Sequence, residues 1–293
     1  IENADFSAAK FCNGSDFSGT AFVGTVDFSR ATFGEIAGFS DATFAGDANF
    51  THATFTHNAD FGGASFVQSA HFDGVKFMQN AHFGGVKFTQ NTNFSGAAFI
   101  QNASFGGANF ARNADFSWAI FTQNAHFIGA VFSQTADFSG ATFTQNARFS
   151  ETAFAQVARF KWVTFTQTAD FSEAAFAQGA DFSEATFEAD AEFYGASFGQ
   201  TANFCDVSFV KSPPVFAVED ADSGEMRRAR FATPSTGQEA HNFAVYEGSQ
   251  PIPLGAAGLN GVGYRIPVGT VLFDPASWDE RQKEYTRLSE PAQ

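Results

Sequence analysis

The sequence predicts an all-β solenoid, and three observations carry that prediction. Between Phe6 and Phe209, phenylalanine recurs at alternating steps of five and six residues, 38 times without a miss, which is a strict eleven-residue period. Two positions before each ring the residue is nearly always small, as in Ala59, Ala70, Ala81 and Ala103, or Ala31, Ala42, Ala53 and Ala64. The positions flanking the ring instead carry Asp, Asn, Ser, Thr, His, Lys and Arg. Period-two alternation sends the ring and its small partner to one side of a short extended segment and the polar columns to the other. Self-similarity at a fixed short period is how a repeat architecture announces itself. Four of the 42 phenylalanines, Phe216, Phe231, Phe243 and Phe273, lie outside the series.

A large inward ring beside a small inward partner fills a narrow interior without overpacking. Glycine is frequent two residues after the ring, at Gly19, Gly63, Gly74, Gly85, Gly96, Gly107 and Gly140, where a corner demands tight backbone geometry. At these residues the chain resembles the pentapeptide-repeat family, whose unit reads small residue, Asp or Asn, Leu or Phe, Ser or Thr, then a variable position. Ala136-Asp137-Phe138-Ser139-Gly140 and Ala114-Asp115-Phe116-Ser117-Trp118 match it directly. The resemblance covers residues 4–209 and implies a right-handed, four-sided β-helix with one unit per side. Every second unit here carries one extra residue, as in Phe143-Thr144-Gln145-Asn146-Ala147-Arg148-Phe149, so four sides take 22 residues.

Two columns favour that 22-residue coil over a flat two-sided coil of eleven. The residue before the ring in the six-residue half-unit splits into one series rich in threonine (Thr32, Thr54, Thr142, Thr164, Thr186) and another with Thr43 alone. Trp118 and Trp162 share one corner position 44 residues apart, with Gly140 between them. Roughly nine coils follow, in a rod ~45 Å long at ~4.8 Å per coil. The expected core includes Phe116, Phe121, Phe127, Phe132, Phe138 and Phe143.

The repeat domain is placed at residues 1–212, and residues 213–293 read as a capping or interaction segment. Pro213-Pro214 ends the repeat, because proline donates no ladder hydrogen bond. Residues 215–235 are charged and irregular. Residues 242–247 and 263–273 read as short strands around a glycine-rich loop. A final helix is expected at about 276–289, since Ser277 and Glu280 have capping-box spacing and Trp278, Tyr285 and Leu288 share one helical face. The cap is therefore expected to be a small mixed α/β unit.

Charge and chemistry narrow the function. Net charge is −15, yet residues 74–160 carry five bases and three acids, so a slightly basic waist separates two acidic ends. No run of apolar residues is long enough for a membrane helix, and no membrane insertion is expected. His71, His82 and His126 stand in for Asp or Asn on the outward face rather than at metal-ligand spacing. Asp220 to Phe231 departs from a calcium loop at its glycine and at its twelfth position. Gly258, Gly261 and Gly263 lack the order and context of a dinucleotide loop. No serine or cysteine sits beside an activating base. An enzyme is not expected, nor a cofactor, nor direct nucleic-acid binding.

Cys12 and Cys205 fall in the first and last coils, beyond reach of an internal disulfide, and are expected as buried or half-buried thiols; a link between stacked molecules is the alternative. The first ring is already at Phe6, leaving a bare first coil, an unpaired strand edge of the kind proteins normally cover. The leading expectation is thus a structural solenoid that assembles with itself, head to tail, into a fibre or surface scaffold; the compartment stays open, with the cell exterior or surface favoured over the cytoplasm. The resemblance implies one alternative, an acidic DNA mimic acting on DNA gyrase. A second is a rigid scaffold for other proteins, displayed through Trp118 and Trp162. Across these readings the candidate interface residues are Trp118, Trp162, Cys12, Cys205, Trp278 and Tyr285.

Overall fold

The computed structural model describes residues 2–234 and 241–293. Thirty-eight two-residue strands, β1 (Ala4–Asp5) through β38 (Ser208–Phe209), follow one another around a square coil. Each pairs in parallel with the strand one coil away: Ala4 faces Val26, Thr54 faces both Thr32 and Lys76, and Phe121 faces Phe143. Partners are always 22 residues apart, so four sheets form, and with the tail they reach ten, ten, nine and eleven strands. The threonine-rich column and the column containing Thr43 lie on different faces, the second and fourth counted from Ala4, which is why the alternate eleven-mers differ.

Every inward ring sits over the ring one coil below. Phe116 and Phe138 are 4.9 Å apart with planes 5° from parallel, and Phe121 and Phe143 are 4.7 Å apart at 1°. Rings from the first and third faces meet edge to face at the axis, as in Phe116 and Phe127 at 5.4 Å and 90°. Both arrangements suit the ring quadrupole, adding about 0.5–1.5 kcal/mol per pair to burial of about 1.5–3 kcal/mol per ring. Phe116, Phe121, Phe127, Phe132, Phe138 and Phe143 are all fully buried.

The two kinds of corner differ in backbone. After each first- or third-face ring, a four-residue turn closes with the N–H three residues on donating to the ring residue's carbonyl, as in Ala9 to Phe6 at 3.0 Å. Its third residue has φ between 55° and 73° at all nineteen such corners, nine of them glycine. That is the type II signature, which explains the glycine column. The aspartates and asparagines just before these rings also bond to the backbone. Asp137 Oδ1 accepts the Ser139 N–H at 2.9 Å, and Asp115 accepts that of Ser117 at 2.8 Å. They cap the turn in addition to facing solvent. The corners with the extra residue have no positive φ. One of them is lined by an asparagine ladder, in which Asn102 donates to Asn80 at 3.3 Å and Asn124 to Asn102 at 3.2 Å.

The chain does not leave the solenoid at Pro213-Pro214. Val215 bridges to Glu192 on the third face, Asn242 to Asn203 on the first, and Arg230–Ala232 (β41) pairs with Ser197–Phe198 on the fourth. Phe216, Phe231 and Phe243 thereby stack on Phe193, Phe198 and Phe204 at 5.2, 4.8 and 6.0 Å. Three rings outside the sequence period rejoin the columns. Between them, β39 (Ala217–Glu219) and β40 (Met226–Arg228) form a hairpin whose turn is tied by Asp220 to Ser223, Asp222 and Arg227. Ser235, the last residue of the charged stretch, lies outside the described residues.

The expected strands at 242–247 and 263–273 are only partly found. The first is a pair of isolated bridges, at Asn242 and Val245. The second is divided: β42 (Leu254–Leu259) and β43 (Val262–Pro267) are an antiparallel hairpin turning at Asn260-Gly261, and β44 (Val271–Phe273) extends the fourth-face sheet beyond β41. An Asn-Gly turn with both φ positive is the favoured tight hairpin connection.

The final helix expected at 276–289 is absent. A short 3-10 turn, Pro275–Ser277, capped by Asp274, leads into a hairpin of β45 (Trp278–Asp279) and β46 (Glu284–Tyr285). Ser277 is no helix cap, because its hydroxyl donates to the Asp274 carbonyl at 2.7 Å. Asp279 instead accepts the N–H groups of Arg281 and Gln282, which closes a turn. Trp278 and Tyr285, seven residues apart, meet across that hairpin rather than along a helix. The cap is thus made of small antiparallel sheets. No helix among the described residues is long and apolar enough to cross a membrane.

Candidate binding surfaces

Two surfaces collect the exposed aromatic residues. The first is the edge formed by the corners after the first face. Here Trp118 (φ 58°) and Trp162 (φ 60°) occupy left-handed positions that cost a non-glycine residue about 1 kcal/mol. They are 63% and 48% exposed, respectively. A Cβ added to Gly140 would lie 2.6–2.8 Å from Cε3, Cζ3 and Cδ2 of Trp118. Near-equal distances to three successive ring atoms put that point above the ring plane, so the indole lies face-down on the Gly140 backbone with its other face outward.

Trp162 is held differently. The Lys161 ammonium sits 4.3 Å from its ring centroid and 3.1 Å from the Glu184 carboxylate. Hydrogen bonds from the Trp162 indole and then Lys161 hold the Glu184 carboxyl below its usual range. Just beyond, Glu184, Thr186, Asp206, Ser208 and Tyr246 line an open hollow of about 490 Å³. Tyr246 is 59% exposed and belongs to the tail segment bonded to this edge, where Asp206 donates to the Ala244 carbonyl and Tyr246 to that of Val207.

The second surface lies on the fourth face below the cap. The 278–285 hairpin overhangs a flat floor of Ala175, Ala177, Ser197 and Gly199, enclosing about 530 Å³. Trp278 and Tyr285 stand 4.9 Å apart in its wall, and Tyr285 packs on Phe273 at 4.1 Å. The structure therefore places Trp118 with Trp162 on one edge, and Trp278 with Tyr285 on the overhang.

The cysteines join neither surface. Cys12 is exposed at the first coil, not buried or half-buried as expected. Cys205 is half-buried, and the neighbouring Asp206 carboxylate, 3.2 Å from its sulfur, raises the thiol pKa and keeps it protonated. His82 contacts Asp60 at 2.9 Å, and burial followed by Arg148 lowers the pKa of His126. Among the described residues no group of three or more His, Cys, Asp or Glu is arranged to hold a metal ion. Tyr246 and the hollow beside it escaped the sequence reading, because nothing in the spacing of residues 242–247 shows that they return to the Trp162 edge.

Parallel two-residue strands on four faces, ring columns within and turn-capping Asp and Asn at the corners define a β-solenoid of the scaffold class. The sequence profile described as Pentapeptide repeats (9 copies) matches residues 28–76, 72–117, 119–161 and 162–208, more than half of the chain, and the protein belongs to that family. Comparison with curated proteins and with solved structures finds no match.

Proposed function

We propose that the protein is a rigid, non-catalytic rod that displays binding surfaces along its wall. The observation that supports this reading is the Trp118–Trp162 edge, where two large rings stand exposed at the same corner position two coils apart. Stiffness comes from the wall, since every coil is hydrogen-bonded to the next on four sides. Light scattering and negative-stain imaging at high protein concentration test the reading. Single-molecule rods are expected; filaments would favour the second reading.

That second reading is head-to-tail self-assembly. The outer edge of β44 is already occupied by the protein's own C-terminal segment, with Ser289 donating to the Leu272 carbonyl and Leu272 to the Ser289 hydroxyl. A fibre contact at this end would run through side chains of the cap rather than through strand pairing. The raised pKa of Cys205 weighs against a disulfide between molecules. DNA mimicry of the kind that acts on gyrase fits less well, because Arg159 paired with Asp137 at 3.5 Å interrupts the acidic wall at the waist. No effect is expected in a gyrase supercoiling assay at micromolar protein.

A further inference from the structure

We propose that the Trp118–Trp162 edge binds a neutral β-1,4-linked polysaccharide lying along the rod. The inference rests on the scaffold reading and names its ligand. Trp118 and Trp162 are two coils apart, about 10 Å at the parallel-strand spacing. An extended β-1,4-linked pyranose chain turns each ring over relative to the last, so every second unit presents the same face, at a repeat of that same size. Trp118 would meet one such face with its outward side, and Trp162, one side of which carries the Lys161 ammonium, would meet the next with its other side. The axial C–H bonds of a pyranose pack on an indole as any weakly positive edge packs on a π face.

The surroundings choose among ligands. The cations beside the indoles each have a carboxylate against them, Lys161 with Glu184 and Arg159 with Asp137, which offsets their pull on a phosphate or carboxylate ligand. The hollow past Trp162 carries two carboxylates, Glu184 and Asp206, two hydroxyls, Thr186 and Ser208, and the Tyr246 phenol. Such a set accepts hydrogen bonds from sugar hydroxyls and repels anions. Tyr246 ends the track as a third exposed ring on the same edge. The surface is a convex edge opening into a shallow hollow, which suits a linear polymer better than the enclosed anchor pocket of a protein hot spot.

The test is retention of the full chain on microcrystalline cellulose and on colloidal chitin, with polygalacturonate as the anionic control, and calorimetric titration with cellohexaose and chitohexaose. Binding to at least one neutral polymer and not to polygalacturonate is expected; the two arms decide which sugar is preferred. Each of Trp118→Ala and Trp162→Ala is expected to weaken binding about tenfold, and the double variant to abolish retention. Trp278→Ala, on the fourth-face overhang, is expected to bind as wild type. Both indoles are at the surface, so far-UV circular dichroism should match wild type, and Gly140→Ala offers an independent probe by displacing Trp118 without removing it. No retention on either polymer, or undiminished retention by the double variant, overturns the proposal. If retention fails while the protein remains single rods in solution, the scaffold reading stands without this ligand; filaments would remove that reading instead.

Discussion

The coils of the repeat and the coil that closes them use the same core but reach it by different routes. Within the repeat, successive rings such as Phe116, Phe121, Phe127 and Phe132 come from 17 consecutive residues, and each corner is a local turn. The closing coil gathers Phe216, Phe231 and Phe243 from a stretch of 28, with a hairpin spliced between the first two. Ring separations are 4.9 Å for Phe116 on Phe138 and 4.8 Å for Phe231 on Phe198. The stacking register is set by the layer below, which offers a row of unpaired backbone groups and an open ring face to any segment that reaches it. Sequence period is one way to meet that demand and is not required by it.

Breaking a ring in each region separates the two cases. Phe116→Ala is expected to cost the most, ~3–5 kcal/mol, by lost burial and a cavity in a column hemmed in on four sides. Because each coil contacts only its neighbours, the lesion should also divide the rod into two melting units. Denaturant titration reads both effects, and a loss under about 1 kcal/mol would contradict the inward stacking. Phe231→Ala is expected to cost less, ~2–4 kcal/mol, and to free the cap while leaving the repeat protected in hydrogen exchange. Equal loss of protection along the whole rod would show that the closing coil is part of one cooperative unit.

Smaller changes sharpen the contrast. Gly85 has φ 66° and open space where a Cβ would go, so Gly85→Ala isolates the backbone term of a repeat corner, about 1 kcal/mol by thermal unfolding. The smallest effect is a pH dependence confined to the cap. His241 bridges the two regions: Ala202 N–H donates to its Nδ1 at 3.1 Å, and its Nε2 meets the Ala232 carbonyl at 2.8 Å. Burial lowers its pKa despite that carbonyl, so the folded cap holds neutral histidine. Its contribution is complete above the unfolded value of about 6.5 and is lost as pH falls from there through the depressed folded value. Cap unfolding should therefore ease on mild acidification, and His241→Phe should flatten that slope.

This contrast also explains what could be read in advance. The five-and-six alternation of phenylalanine, with threonine concentrated in one of two columns, was enough for the 22-residue coil and for the pairing of Thr54 with Thr32 and Lys76. The asparagine ladder was present as Asn58, Asn80, Asn102 and Asn124 at that same interval, once the coil length was known. Turn capping by Asp115 and Asp137 hid behind their outward position, since a solvated column and a hydrogen-bonded one use the same residues. The end of the chain was less legible because Trp278 and Tyr285, seven apart, satisfy a helical face and a hairpin pairing equally. Asp274 and Asp279, which divert the backbone into turns, decide between them. The return of Phe216, Phe231 and Phe243 to the ladder depends on long-range contacts that irregular spacing does not encode.

The placement of the tryptophans has an optical consequence. All three tryptophans in the chain, Trp118, Trp162 and Trp278, are at least 43% exposed, while the interior is built of phenylalanine. Intrinsic emission should already be red-shifted in the native rod and change little when the wall melts. The same dyes that are poor witnesses of unfolding are well placed as reporters of anything that lands on the surface.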